Sequence, residues 1–144
     1  MNDLNIIFTD IDGVLQINNP KKWDKKCCKR YNDVCKKLNL KAVVISTWRI
    51  EYTQKELQAI FTKQGIDVEI YDYTGVYGLD RGEEIQIWLD ENYVDRYVVL
   101  DDNVCGIVEY VNNVVAVEKS YIGITDENVE EIEKIITYDY NNSK

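Results

Sequence analysis

The chain has 144 residues, is 45% hydrophobic and carries a formal net charge of −9 at pH 7. This length suits one domain with a hydrophobic core, and the composition argues against a disordered chain. No apolar run is long enough to span a bilayer, and no signal-peptide pattern opens the sequence. Histidine and Cys-x-x-Cys pairs are absent, which argues against a zinc site. We therefore expect a cytoplasmic protein with no membrane partner.

Apolar strands alternate with amphipathic helices along the chain. The apolar run at 6–8 predicts a buried strand, and glycine allows a sharp turn at Gly13. The further predicted elements, in order, are a helix at about 23–38, a strand at 41–46, a helix opening at Thr53 and closing at Gly65, a strand at 68–71, a helix opening at Asp80, strands at 96–100 and 113–117, and a helix from 126 to about 137. Thr53 with Glu56, and Asp80 with Glu83, have capping-box spacing. We expect one domain over residues 1–138 and a disordered tail over 139–144.

The cysteines and the clustered basic residues are two further features of the sequence. The four cysteines, Cys27, Cys28, Cys35 and Cys105, are interpreted as buried, reduced thiols that act as small hydrophobes. Nine basic residues crowd the segment from Lys21 to Lys41. That segment is either the solvated face of an amphipathic helix or a local surface for polyanions on an otherwise acidic protein.

The alternation predicts a three-layer α/β/α sandwich with a Rossmann-like, parallel five-stranded sheet. Ligands of such sheets bind beyond the carboxyl ends of the strands. The polar residues that follow the predicted strands are Asp10, Asp12, Ser46, Thr47, Arg49, Asp101 and Asp102. Arg81 opens the helix before the fourth strand, where a cation opposes the helix dipole, which favours a functional reason for it.

The chemistry of this set suggests phosphoryl transfer. Four carboxylates at one sheet edge repel one another unless a cation lies among them, and a hard cation such as Mg²⁺ suits oxygen ligands. The hydroxyl and guanidinium groups suit phosphoryl oxygens. Without histidine, an aspartate is the obvious nucleophile and would form an aspartyl-phosphate. A second, protonated carboxyl could donate to the leaving oxygen.

Four motifs carry a family resemblance. In order, Asp10-Ile-Asp-Gly-Val-Leu15, Val43-Val-Ile-Ser46, Arg81 before an amphipathic helix, and Val98-Val-Leu-Asp-Asp102 resemble the motifs of haloacid dehalogenase (HAD) superfamily phosphatases. The finer pattern, Ser46-Thr-Trp-Arg49 with Arg81-Gly-Glu-Glu-Ile and Tyr97-Val-Val-Leu-Asp-Asp102, is most similar to the HAD domain associated with "Swiss Army knife" RNA-repair proteins. The resemblance implies a HAD-like fold.

The resemblance also implies catalytic roles at the matching positions. Asp10 would be the nucleophile and a Mg²⁺ ligand. Asp12 would be the general acid and base, with its backbone carbonyl on the metal. Ser46 would hydrogen-bond the transferring phosphoryl group, and Arg81 would neutralise its charge.

Five further positions receive metal or substrate roles. One of Asp101 and Asp102 would bind Mg²⁺ directly and the other would support it. Thr47 could take the place of Ser46 at the phosphoryl group. Arg49 lies one residue beyond the position of a substrate-binding arginine in polynucleotide phosphatases, and Gly13 is assigned to the substrate-binding set.

The spacing of the motifs leaves no room for an inserted cap domain, which family members acting on small metabolites usually carry. An uncapped site suits a macromolecular end. We expect a Mg²⁺-dependent phosphatase for a phosphorylated substrate such as a polynucleotide 3′-phosphate end. The alternatives are a small-molecule phosphatase or nucleotidase, and a non-catalytic metal-binding regulatory domain. The basic segment from Lys21 to Lys41, with Trp23 among its lysines, and the loop from Tyr71 to Tyr77 are candidate contact surfaces, because aromatic rings can stack bases.

Overall fold

The computed structural model describes residues 3–142 and contains a five-stranded sheet with five helices in that range. The strands are β1 (Asn5–Thr9), β2 (Leu40–Val44), β3 (Ile70–Tyr73), β4 (Arg96–Asp101) and β5 (Val114–Ala116). The helices are α1 (Lys25–Leu38), α2 (Trp48–Glu51), α3 (Gln54–Lys63), α4 (Arg81–Glu91) and α5 (Asp126–Asn142).

The sheet has the order β3-β2-β1-β4-β5, and every neighbouring pair is parallel. The chain moves outward from β1 to β3 and then returns to place β4 on the other side of β1. This reversal creates a topological switch point between the carboxyl ends of β1 and β4, where ligands of open α/β sheets bind. The fold thus positions the segments that follow β1 and β4 beside each other.

Both faces of the sheet are covered, which confirms the three-layer sandwich. All five residues of β1 are buried, as expected for a central parallel strand. Ile7 packs in one core with apolar residues of α1, α3 and α5, whereas Ile6 and Phe8 pack in a second core with α4. In the second core the rings of Phe8 and Trp88 meet edge to face, with centroids 5.4 Å apart.

The N-terminal caps of the helices agree only in part with the predicted capping boxes. The side chain of Asp24 accepts a hydrogen bond from the Cys27 amide and caps α1, a contact that typically contributes about 1 kcal/mol. The capping box of Thr53 and Glu56 is confirmed at the start of α3. The second predicted box is wrong, because Asp80 precedes α4 but makes no side-chain capping bond. Its carboxylate accepts a hydrogen bond from the hydroxyl of Tyr110 at 3.4 Å instead.

Two other boundary features differ from the pattern. The single-turn helix α2 is not predicted, because four residues carry no periodicity. The last helix runs to Asn142 rather than to about Thr137, so it includes part of the predicted tail at 139–144. Residues 143–144 of that tail lie outside the described residues.

The cysteine interpretation holds for three positions and is wrong for the fourth. Cys27, Cys28 and Cys35 are free thiols buried on the apolar face of α1, whereas Cys105 is a free but exposed thiol. Cys105 belongs to the turn after β4 rather than to an apolar helix face, so nothing packs over it.

The connections between the motifs are short. One helix and one strand separate Asp12 from Ser46, and two helices and a strand separate Ser46 from Arg81. Within residues 3–142, therefore, no cap domain is inserted between these motifs. No helix in the same range has both the length and the apolar character needed to cross a membrane.

Candidate active site

The ends of β1 and β4 bring three aspartates together. The backbone N–H of Asp10 donates to the Leu100 carbonyl at 3.0 Å, which holds the end of β1 against β4. Asp10, Asp101 and Asp102 each offer a carboxylate oxygen, and these oxygens all lie within 4.8 Å of one another. Asp10 and Asp101 are buried, and Asp102 is half-buried.

Arg81 reaches this cluster from the first residue of α4. Its Nη1 lies 2.6 Å from Asp101 Oδ2 and 3.3 Å from Asp10 Oδ1. The other oxygen of Asp101 accepts a hydrogen bond from the Asn103 amide at 3.0 Å. Both oxygens of Asp101 are therefore held by protein donors, and Arg81 supplies a positive charge to two buried carboxylates.

One guanidinium does not balance the buried acids. Burial, reinforced by the charge of Asp101, raises the pKa of Asp10 from 3.8 to about 8 against the opposing effect of Arg81. Burial also raises the pKa of Asp101, and Arg81 opposes that rise. The cluster offers three carboxylate oxygens, and their negative charges are unfavourable without a counter-ion. A hard divalent cation such as Mg²⁺ fits a set of this kind.

Gly13 makes room for the third aspartate. Its φ is +79°, and a Cβ at this position would lie only 2.3 Å from Asp102 Oδ2. A side chain would therefore be strained by the backbone and would displace the carboxylate. The structure thus gives Gly13 a role in making space for Asp102, and its predicted substrate contact stays a prediction.

Asp12 is not part of the aspartate cluster but lines the cleft beside it. It is exposed, and its Oδ1 accepts hydrogen bonds from Gln16 Nε2 and from Trp48 Nε1, each at 2.9 Å. Both bonds fall on one oxygen, so they fix the orientation of the carboxyl group. The contact with Trp48 was missed by sequence reasoning, and its only signal was an aromatic residue just after the end of β2.

The hydroxyl residues after β2 occupy different environments. Ser46 is 1% exposed, and its Oγ accepts a hydrogen bond from the Trp48 amide at 3.2 Å, which leaves its own proton to donate. Thr47 is exposed. The open cleft at the aspartate cluster, about 540 Å³ in volume, is lined by Asp10, Asp12, Leu79, Asp80, Arg81, Asp102, Asn103, Cys105 and Gly106. Ser46 and Thr47 lie outside that lining.

The family model described as "HAD domain in Swiss Army Knife RNA repair proteins" matches residues 6–129. The chain belongs to this family. The match spans all four motifs and both strand ends that build the aspartate cluster. In a comparison with curated proteins, no sequence matches the chain.

Arg49 of this HAD domain makes structural contacts with other parts of the fold. Its side chain is buried, and its five N–H groups face the carbonyls of Ile45, Ser46, Thr74 and Gly75 and the carboxylate of Glu84. The ion pair with Glu84 measures 3.0 Å, and each side chain is only 5% exposed. Because its donors already have protein acceptors, this placement argues against the predicted substrate contact. Arg49 instead joins the segment after β2, the loop after β3 and α4.

Trp23 is likewise not the surface residue that the sequence suggested. It is 2% exposed and meets the ring of Trp48 edge to face, with centroids 5.3 Å apart. Trp23 therefore supports Trp48 and cannot stack on a base. The second predicted surface is accessible, since Tyr71 is 38% and Tyr77 is 54% exposed, and its contact role stays a prediction.

Proposed function

We propose that this HAD domain is a Mg²⁺-dependent phosphomonoester hydrolase that acts through an aspartyl-phosphate on Asp10. The observation that carries the proposal is the convergence of Asp10, Asp101 and Asp102 within 4.8 Å at the switch point, with Arg81 among them. A buried carboxylate cluster of this kind is a poor stabilising device, because each charge raises the cost of its neighbours. It is well suited to hold a cation beside a nucleophile.

The chain's own residues would divide the metal site between them. Asp10 and Asp102 line the cleft and would bind the cation directly. Asp101, held by Arg81 and the Asn103 amide, would support them from beneath. When bound, Mg²⁺ supplies positive charge that favours the ionised form of Asp10 and polarises the phosphoryl group.

The proposed reaction has two steps. In the first, an oxygen of Asp10 attacks phosphorus, the ester P–O bond breaks, and Asp12 gives its proton to the departing oxygen. In the second, Asp12 takes a proton from water as the water oxygen attacks phosphorus, and the bond between phosphorus and the Asp10 oxygen breaks. This releases inorganic phosphate and restores the Asp10 carboxylate. Arg81 balances the charge of the phosphoryl oxygens, and Ser46 donates its hydroxyl proton to one of them.

For the substrate we propose a polynucleotide 3′-phosphate end. The cleft is open, and within residues 3–142 no cap covers it. The family description refers to RNA repair proteins, which is consistent with such an end. The predicted cytoplasmic location fits this substrate.

The test compares the wild type with Asp10→Asn on p-nitrophenyl phosphate, with Mg²⁺ and with excess EDTA. We expect hydrolysis by the wild type with Mg²⁺ only, and a loss of about 10³-fold or more in Asp10→Asn. The matched control is Asp90→Asn, an exposed carboxyl on α4, which should keep full activity. A wild type no faster than Asp10→Asn would favour the non-catalytic metal-binding alternative.

Substrate class is tested next with a 3′-phosphorylated oligonucleotide and a 3′-mononucleotide at equal concentration. We expect kcat/KM to be higher for the oligonucleotide, because the open cleft leaves the rest of the strand room to contact the surface. Equal or higher kcat/KM for the mononucleotide would favour the small-molecule phosphatase instead.

A further inference from the structure

A second depression includes Trp48 in its lining. It has a volume of about 550 Å³ and is lined by Pro20, Lys21, Trp48, Tyr52, Ile60, Lys63 and Gln64. We call it the Trp48 groove. The rings of Trp48 and Tyr52 are stacked, with centroids 5.5 Å apart and planes inclined by 24°. Together with Pro20 and Ile60 they give the groove an apolar, aromatic wall.

The charge of the Trp48 groove is opposite to that of the whole chain. Lys21 and Lys63 are its charged lining residues, and its lining includes no acidic side chain, although the chain has a net charge of −9. Gln64 fixes the two lysine-bearing segments, since its Oε1 accepts from the Trp23 amide and its Nε2 donates to the Lys21 carbonyl. An aromatic wall beside two cations suits a planar base and a phosphate.

One hydrogen bond connects the Trp48 groove with the open cleft at the aspartate cluster. Trp48, which lines the groove, donates from Nε1 to Oδ1 of Asp12, which lines the cleft, at 2.9 Å. In the proposed reaction Asp12 protonates the departing oxygen, so the leaving group must extend from the phosphoryl site past Asp12. The Trp48 groove begins at that point.

We propose that the Trp48 groove is the leaving-group subsite and binds the terminal nucleoside of a single-stranded nucleic-acid end. The base lies against the wall formed by Trp48 and Tyr52, and the next phosphate of the strand lies between Lys21 and Lys63. The proposal rests on the proposed function, because it takes Asp12 as the acid, but it assigns a separate surface that can be tested by binding alone.

The test measures the binding of a fluorescein-labelled, 3′-phosphorylated oligonucleotide by anisotropy, with Mg²⁺ present. All proteins carry Asp10→Asn so that the probe is not consumed. We expect Lys63→Glu to raise the Kd about fivefold or more, because a cation beside a phosphate is replaced by an anion. The matched control is Lys134→Glu, an exposed lysine on α5, which makes the same change in net charge and should shift the Kd less than twofold.

A second probe separates the base from the phosphates. An oligonucleotide of the same length whose terminal nucleotide lacks its base should bind about fivefold or more weakly than the intact probe, because stacking on the aromatic wall is lost. Equal Kd values for Lys63→Glu and Lys134→Glu, or for the two probes, would overturn the groove assignment. Activity of the wild type on p-nitrophenyl phosphate is read separately, so failure of the groove and failure of the phosphatase give different results.

Discussion

At the scale of single residues, Asp10 is placed where its charge opposes folding. Its pKa in the folded protein is about 8, against an ordinary value of 3.8, so the folded state binds the proton more tightly than the unfolded chain. Without a metal ion, the contribution of Asp10 to the free energy of unfolding should therefore fall as the pH rises from about 4 to 8.

Asp10→Asn should thus stabilise the metal-free protein while abolishing hydrolysis. In EDTA, we expect its gain in unfolding free energy over the wild type to grow by roughly 2–4 kcal/mol between pH 5 and pH 8, since one pKa unit corresponds to about 1.4 kcal/mol. Urea unfolding at both pH values measures the gain. Asp90→Asn should show no such pH dependence, and a gain that shrinks with rising pH would contradict the assignment.

Trp48 is the residue expected to orient Asp12. Trp48→Phe keeps an aromatic ring but removes the N–H that donates to Asp12 Oδ1. We expect kcat/KM to fall about tenfold for an alkyl phosphate, whose leaving oxygen needs a proton, and less than about threefold for p-nitrophenyl phosphate, whose leaving group departs as an anion. Because kcat/KM reports only the steps up to and including the first irreversible one, the later attack of water does not affect the comparison of the two substrates.

The matched control for that prediction is Trp88→Phe. Trp88 also donates its indole N–H to a carboxylate, Asp72 Oδ2 at 2.7 Å, but in the core beneath α4. Loss of this indole N–H should affect stability and leave the ratio of the kcat/KM values for the two substrates unchanged. Equal losses on both substrates in Trp48→Phe would mean that Trp48 supports the fold and does not position the acid.

At the scale of elements, Arg49 links the segment after β2, the loop after β3 and α4 through one buried guanidinium. Arg49→Lys keeps the charge but cannot serve five acceptors, so we expect a loss of roughly 2–4 kcal/mol in unfolding free energy. The control, Arg30→Lys, alters the pair between the half-buried Arg30 and the exposed Asp126 and should cost less than about 1 kcal/mol. If Arg49→Lys instead left stability unchanged and raised KM, the substrate role suggested by the sequence would stand.

The sequence predicts the parts of the site that follow from strand ends. Short apolar runs identify β1 and β4, and parallel strands place their carboxyl ends at one edge, so the meeting of Asp10 with Asp101 follows directly. The contact between Asp12 and Trp48 joins residues 36 positions apart through a one-turn helix. No local period encodes such a contact, because it depends on how far side chains reach after the sheet has formed. The burial of Arg49 escaped prediction for the same reason.

At the scale of the whole molecule, the proposed Mg²⁺ site predicts that stability and metal binding are coupled through the aspartate cluster. A cation that binds only the folded state stabilises it by mass action, and binding must release the proton that Asp10 holds below pH 8. We therefore expect 5 mM Mg²⁺ to raise the Tm by several degrees at pH 8.5 and by clearly less at pH 6, with NaCl at matched ionic strength as the control. Asp102→Asn should lose the Mg²⁺-dependent rise at both pH values, whereas Asp90→Asn should keep it. A Mg²⁺ effect that is equal at the two pH values, or that persists in Asp102→Asn, would mean that the cation binds somewhere other than between β1 and β4.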